Sequence, residues 1–335
     1  MNDLALVTGA SGFVGGKLAR RLLDSGRRVR ALSRSPMPDL TELGAEIVPA
    51  DIADASAVRA ACEGASTVFH TAARVGIWGP RAEFERTNIR GAIAVVAGCR
   101  LGGVARLVFT SSPSVVFNHG NLAGADESQP LGTDFRGADY PRTKADAERH
   151  ILAAHEPGRL ATCALRPHLI WGVGDQNLIP RVVARARAGR LRMIGGGKNR
   201  VDLTHIENVV DAHLLAEAAL ARPNPIAGGR AYFITNGEPV ALWPWINALL
   251  QRLALPRVEK RLSLRAAERL GAACEYAWRT LHLRGEPPLT RFLAAELAHD
   301  HWFDIRAAQR DLGYAPRISM EQGLAELLPT LRASR

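Results

Sequence analysis

The chain has 335 residues, 47% hydrophobic and 23% charged, a mixture that supports a large buried core and excludes a fibrous or disordered protein. Its formal charge of +10 comes from arginines strung along helices (Arg20, Arg21, Arg100, Arg185, Arg187, Arg190), with no basic tail or aromatic-interleaved patch, which argues against nucleic acid as a partner. No basic segment with a cleavage site precedes the first apolar strand, and no run is long enough to span a bilayer, so the expected location is cytoplasmic.

The first apolar run, Leu4–Thr8, predicts a strand, and residues 13–25 predict a helix with Val14, Leu18 and Leu22 on one stripe and Gly26 at its end. Strands are expected at 28–32, Glu46–Pro49, 67–71, 107–111 and 162–166, alternating with helices such as 83–100 and 140–155. This alternation predicts an α/β fold, a Rossmann-type doubly wound parallel sheet. Beyond Pro167, glycine clusters at 172–174 and 195–197 and the stretch 223–229 break the pattern, which predicts a smaller, mostly helical C-terminal substrate lobe. Residues 1–175 are expected to form the dinucleotide-binding domain, with 201–236 returning to it; 176–200 and 237–335 would form the lobe. Four separated cysteines (Cys62, Cys99, Cys163, Cys274) with no C-x-x-C pattern read as reduced packing thiols, and no metal site is expected.

Gly9-x-x-Gly12-x-x-Gly15 directly follows the first strand and opens the first helix, the arrangement that lets backbone approach a pyrophosphate at a helix N-terminus. Ser11, Phe13 and Val14 fill the turn and are expected at the cofactor with the three glycines. The second strand ends in Leu32-Ser33-Arg34-Ser35, where an NAD site would carry a carboxylate. Arg34 can instead pair with a 2'-phosphate, so NADP(H) is expected in preference to NAD(H). Asp51 and Ile52 after the third strand, Thr71, Ala72 and Ala73 after the fourth, and Pro167 and Ile170 after the last complete the expected cofactor contacts.

Tyr140 and Lys144 stand four residues apart on a predicted helix, so phenol and ammonium share one face. A fixed cation beside a phenol favours phenolate and lowers its pKa, as an acid/base catalyst requires.

Taken together, Thr8-Gly9-Ala10-Ser11-Gly12-Phe13-Val14-Gly15, Thr110-Ser111-Ser112, Asn88 within Thr87-Asn88-Ile89-Arg90-Gly91, Tyr140-Pro141-Arg142-Thr143-Lys144, Leu165-Arg166-Pro167 and the ending from His301 to Pro316 resemble the extended short-chain dehydrogenase/reductase family over nearly the whole chain. The resemblance implies that Ser112 holds the substrate oxygen, Tyr140 protonates it as hydride arrives, and Lys144 both lowers the Tyr140 pKa and binds nicotinamide ribose. Ser112-Pro113-Ser114-Val115, the 165–172 run and Thr290-Arg291-Phe292-Leu293 look most like the 3β-hydroxysteroid dehydrogenase branch, in particular its bacterial members that reduce 2-alkyl-3-oxoalkanoates in long-chain olefin biosynthesis.

The implied activity is NADPH-dependent reduction of the 3-keto group of a 2-alkyl-3-oxoalkanoic acid. The alternatives are a 3β-hydroxysteroid or sterol dehydrogenase, with or without isomerase activity, a nucleotide-sugar epimerase or dehydratase, and a non-catalytic NADP-binding scaffold. In sugar-nucleotide epimerases an Arg precedes the Asp of the 201–208 stretch; here Val201 stands there and Arg200 is one position off, which on a strand turns it to the other face. Trp78, Trp171, Leu178, Ile179, Met193, Trp243 and Phe292 are candidates for an apolar trough, although such residues are more often core. Ser114 is a further candidate contact, and His119, Arg200 and Arg291 are candidate cations for the substrate carboxylate. The segment 262–283 mixes bulky apolar residues with arginines and reads as a substrate-lobe helix, with peripheral membrane or partner contact as the other option. A homodimer, and association with other olefin-pathway enzymes, follow from the resemblance alone.

Overall fold

The computed structural model describes residues 3–117 and 120–333. Its central sheet has seven parallel strands, β1 (Leu4–Thr8), β2 (Arg28–Ser33), β3 (Glu46–Pro49), β4 (Thr67–His70), β5 (Arg106–Thr110), β6 (Ala161–Pro167) and β7 (Arg230–Ile234), in spatial order 3-2-1-4-5-6-7. The helices α1 (Phe13–Asp24), α2 (Ala55–Cys62), α3 (Gly91–Gly102), α4 (Asp139–Ala153) and α5 (Ile206–Leu220) cover it. In β1, Ala5 and Val7 enter the layer shared with Leu18 and Leu22 of α1 and Val210 of α5. Leu4 and Leu6 enter the opposite layer with Val58 of α2, Val95 of α3 and Ile151 of α4. A strand buried on both faces is mostly apolar, which is why β1 reads as an almost unbroken hydrophobic run, while β2 and the edge strand β3 carry exposed charged residues.

The helix expected over 83–100 is interrupted. A short helix, Arg81–Phe84, leads into a π-helical turn, Glu85–Arg90, before α3 begins. Asn88 is buried in that turn: its Oδ1 accepts from Arg74 N at 2.7 Å, and its amide donates to Arg74 O at 3.2 Å and to the Thr143 hydroxyl at 2.9 Å. An inserted residue of this kind aims one side chain into a site that a regular helix would miss.

After β6 the chain builds mostly helix, and three of its short strands, Arg200–Val201, Val240–Ala241 and His301–Phe303, join the earlier Leu122–Ala125 in a four-stranded sheet. Its core gathers Trp171, Ile179, Met193, Val201, Trp243 and Ile246. Trp171, expected to line an open trough, lies in this core. It is fully enclosed, edge-on to His205 at 5.4 Å and to Trp245 at 6.0 Å. Ile179, Met193 and Trp243 are core for the same reason. No helix among the described residues is long and apolar enough to cross a membrane.

One buried ion pair joins α4 to the sheet. Arg166 of β6 meets Glu148 of α4 through Nε–Oε2 at 3.0 Å and Nη2–Oε1 at 2.5 Å, and its guanidinium stands 5.1 Å from the Phe233 ring centre. Both side chains are almost wholly enclosed. Removing one partner leaves the other charge buried without its counterion, at a cost of about 3–5 kcal/mol. Glu148→Ala should lower unfolding stability in urea by that amount, while a Glu148→Met/Arg166→Met pair should lose much less. Equal losses in the two would show that charge pairing is not what holds α4.

Candidate active site

The glycine turn after β1 is shaped by close approach. Gly9 has φ +69°, and a Cβ there would stand 2.6 Å from the Ala72 Cα. A Cβ on Gly15 would stand 2.6 Å from the Thr71 hydroxyl and would also strike the Gly9 carbonyl. Gly12 immediately precedes α1, and no side chain caps that helix, so its first amides remain directed outward, where an anion can accept from them. Thr8 ties the turn to the end of β4: its carbonyl accepts from the Thr71 hydroxyl at 2.7 Å, and its own hydroxyl accepts from Ala72 N at 3.3 Å. A dinucleotide fits this cradle, with Ser11, Phe13 and Val14 at the same helix start and Ala73 next along the β4 loop.

At the end of β2, Ser33 bonds Ser11 through their hydroxyls at 2.6 Å. The Arg34 side chain is 68% exposed, 3.7 Å from the Asp51 carboxylate, which lies 3.0 Å from Arg86. Asp51 thus sits between two cations, and Ile52 is buried, packing against Gly91. Pro167 is buried at the end of β6, and Ile170 is half-buried in the short strand Ile170–Trp171 that pairs with Thr204–His205.

Ser112, Tyr140 and Lys144 converge just past β5. Ser111 N donates to Leu165 O at 2.6 Å and holds the ends of β5 and β6 together. Ser112 then caps the turn Pro113–Val116, and its hydroxyl lies 2.9 Å from that of Ser114. Tyr140 is the second residue of α4 and half-buried, with the Ser112 side chain near enough to its enclosed hydroxyl end to favour the phenolate. One turn on, Lys144 is buried, donates from Nζ to Thr110 O at 2.5 Å and stands 4.0 Å from the Phe109 ring centre.

The electrostatics differ from the sequence expectation. Burial raises the Tyr140 pKa above its ordinary value, and the Ser112 hydrogen bond, rather than Lys144, pulls it back. Lys144 itself is pushed down to about 7 by burial, opposed by the charge of Glu148. With its pKa near 7, Lys144 is already neutral in the range where the buried phenol ionises, so it gives that phenol no positive charge.

His70 also belongs to this neighbourhood and carried no assignment from sequence. It stacks on Phe109 at 5.3 Å, shares a 2.8 Å hydrogen bond with Thr8, and is held neutral, its pKa lowered to about 3 by burial and by Lys144.

The remaining candidates separate. Ser114 joins Ser112, as above. Trp78 is half-buried with the Arg279 guanidinium 5.2 Å from its ring centre. Arg291 is not a free cation: Glu275, itself buried, takes its Nε at 2.9 Å and Nη2 at 2.8 Å. Arg200 is exposed beside the Trp302 ring while its neighbour Val201 is wholly buried, so the two do face opposite ways. His119 lies outside the described residues. Among the described residues, no group of three or more His, Cys, Asp or Glu could hold a metal.

Lys144 yields a sign-definite expectation. Its ammonium is disfavoured in the fold, so between about 7 and its ordinary 10.5 the unfolded chain binds more protons and stability rises with pH. Lys144→Met should therefore be the more stable protein at pH 6, by about 1–4 kcal/mol, with that advantage shrinking as pH rises toward 10. Denaturant unfolding at several pH values reads this, and an advantage that grew with pH would contradict the burial assigned to the ammonium.

The model of the 3-beta hydroxysteroid dehydrogenase/isomerase family matches residues 6–264. A 2-alkyl-3-oxoalkanoate reductase of Stenotrophomonas maltophilia is 48% identical over 325 residues, 96% of this chain and 97% of that protein. A 3 beta-hydroxysteroid dehydrogenase/Delta 5→4-isomerase of Mycobacterium tuberculosis is 36% identical over 97% of this chain and 89% of its own length. Among solved structures, MoeE5 in complex with UDP-glucose and NAD superposes with a TM-score of 0.75 over 99% of both chains at 26% identity. A glycine cradle, a serine–tyrosine–lysine convergence and these relatives along almost the full length lead to one assignment: the chain belongs to the 3-beta hydroxysteroid dehydrogenase/isomerase family.

Proposed function

We propose that the protein is an NADPH-dependent oxidoreductase that reduces the 3-keto group of a 2-alkyl-3-oxoalkanoic acid to the 3-hydroxy acid, reversibly. The observation that carries the reading is the convergence of Ser112, Tyr140 and Lys144 just past β5, in a chain 48% identical to a 2-alkyl-3-oxoalkanoate reductase. The nicotinamide supplies the hydride when bound. Tyr140, kept protonated by burial, is the donor for the substrate oxygen, and Ser112 hydrogen-bonds the same oxygen and so orients it. Lys144 stabilises negative charge arising on the phenol and is the residue that would hold nicotinamide ribose.

A sterol dehydrogenase is the second reading, favoured by the 36% identity to the mycobacterial enzyme. Nucleotide-sugar chemistry is disfavoured because Val201 is buried where an epimerase needs an arginine, and Arg200 lies on the other face. Exposed Ile93 and Leu101 on α3 support a homodimer through helices flanking the sheet. The same reading assigns the enzyme to the cytoplasm beside other enzymes of long-chain olefin biosynthesis.

NADPH preference rests on Arg34, exposed at the end of β2 beside Ser33, with no carboxylate on β2 itself; the nearby Asp51 carboxylate, 3.7 Å away, is also engaged by Arg86 at 3.0 Å. Tyr140→Phe should cut kcat for a 2-alkyl-3-oxoalkanoate by about 10²–10⁴ with NADPH affinity largely kept. Turnover close to wild type would remove Tyr140 from the chemistry, and faster oxidation of a 3β-hydroxysterol than of a 2-alkyl-3-hydroxy acid would favour the second reading. Arg34→Ala should lower kcat/KM for NADPH about ten- to a hundredfold relative to NADH. An unchanged ratio of the two would leave Arg34 outside the cofactor site.

A further inference from the structure

The helix Leu264–Thr280 is seated on one side only. Its inner residues Ala267, Gly271 and Glu275 are buried, and Gly271 lies so near the start of Arg291–Glu296 that a Cβ there would stand 2.7 Å from Arg291 N. On the outer side no described residue covers it. Tyr276 is 72% exposed, and Leu281 and Leu283, just past the helix end, are 68% and 41% exposed.

The charges around these side chains are arranged asymmetrically. Each acid of the segment is already neutralised by an arginine from elsewhere: Glu268 by Arg136, Glu275 by Arg291 and Glu286 by Arg181. The segment's own Arg265, Arg269 and Arg284 have no carboxylate partner among the described residues and are exposed. Arg265, Arg269 and Tyr276 fall on one stripe of the helix. The exposed surface is therefore apolar with a cationic border, which complements an anionic surface into which hydrocarbon can sink.

Its position adds a reason. Arg279 rests over Trp78 in the loop that leaves Ala72 and Ala73, and its guanidinium comes within 3.3 Å of where a Gly137 Cβ would stand, in the turn that leads to Tyr140. The uncovered face thus adjoins the two loops that border the catalytic residues.

We propose that the outer face of Leu264–Thr280 and the 281–284 turn dock the protein peripherally on an anionic phospholipid surface, with the entrance to the site facing the lipid. Tyr276, Leu281 and Leu283 enter the interface and Arg265, Arg269 and Arg284 pair with headgroup phosphates. The inference does not depend on which keto compound is reduced.

The test is flotation of the full-length protein with vesicles of phosphatidylcholine alone or with about a third phosphatidylglycerol, at low and high salt. Binding should require phosphatidylglycerol and weaken with salt. Arg265→Glu/Arg269→Glu, and separately Tyr276→Ser/Leu281→Ser/Leu283→Ser, should each weaken it at least about tenfold. Both variants should keep wild-type turnover of a short, water-soluble ketone, which shows that they fold. Arg222→Glu/Arg257→Glu, the same charge change at exposed residues elsewhere, should leave binding intact. No binding to any vesicle, equal losses in the control, or concentration-dependent self-association abolished by the serine variant in place of lipid binding would each overturn the proposal.

Discussion

The site depends on one buried face of α4. Tyr140, Lys144 and Glu148 follow each other four residues apart, so whatever seats Glu148 also seats the lysine and the phenol above it. Arg166 does the seating, through a two-bond contact that leaves little freedom for rotation about the helix axis. The pair is enclosed, and such pairs contribute less to stability than their geometry suggests, because both charges lose water. Its value lies in orientation. A hydrophobic contact of similar area would hold α4 against the sheet yet specify its register less sharply, and a small rotation would carry Tyr140 away from Ser112.

A second fixed point is the junction of β1 and β4. Thr8 uses both its carbonyl and its hydroxyl to hold the first residues of the β4 loop, and His70 adds a third bond to the same hydroxyl. This draws Ala72 so close to Gly9 that only glycine fits there. The crevice between β1 and β4 is where strand order reverses, and ligands of open parallel sheets bind at such a place. His70 then reaches Phe109, and Phe109 reaches Lys144, so the cofactor cradle and the catalytic helix share a wall of packed rings.

Those features of the fold that follow from local period were legible in the chain. The strands of the main sheet lie within a residue or so of their expected bounds because short β-branched and apolar runs between turn residues mark strands directly. The glycine spacing and the Tyr140–Lys144 interval were legible for a similar reason, since each encodes a local geometry. What the sequence did not disclose was depth and partner choice. Trp171 and Phe292 look alike as trough candidates, yet both are buried: Trp171 closes a core against Trp245 and His205, and Phe292 packs edge-on to Phe117. Arg291 looks like a free cation until Glu275, on a different helix, takes it. The π-helical turn at Glu85–Arg90 leaves no mark on the apolar period; only Asn88, bonded across to Arg74 and Thr143, shows why the extra residue is kept.

Burial shifts the phenol and the lysine in opposite senses. Sequence spacing states that a lysine is near, but not how deeply it is buried. With Lys144 committed to Thr110 O and pushed down to about 7, and Tyr140 raised, the ammonium releases its proton more readily than the phenol does. The pair alone is therefore a poor source of phenolate, which suits a proton donor waiting for substrate. Charge entering the pocket changes that balance. An anionic ligand beside Lys144 stabilises its ammonium, and a firmer ammonium in turn stabilises the phenolate left after proton transfer. A neutral ligand does neither. The acidity of Tyr140 is thus conditional on what lies next to Lys144, and the buried face of α4 makes the condition effective by keeping water from supplying the same stabilisation at any time.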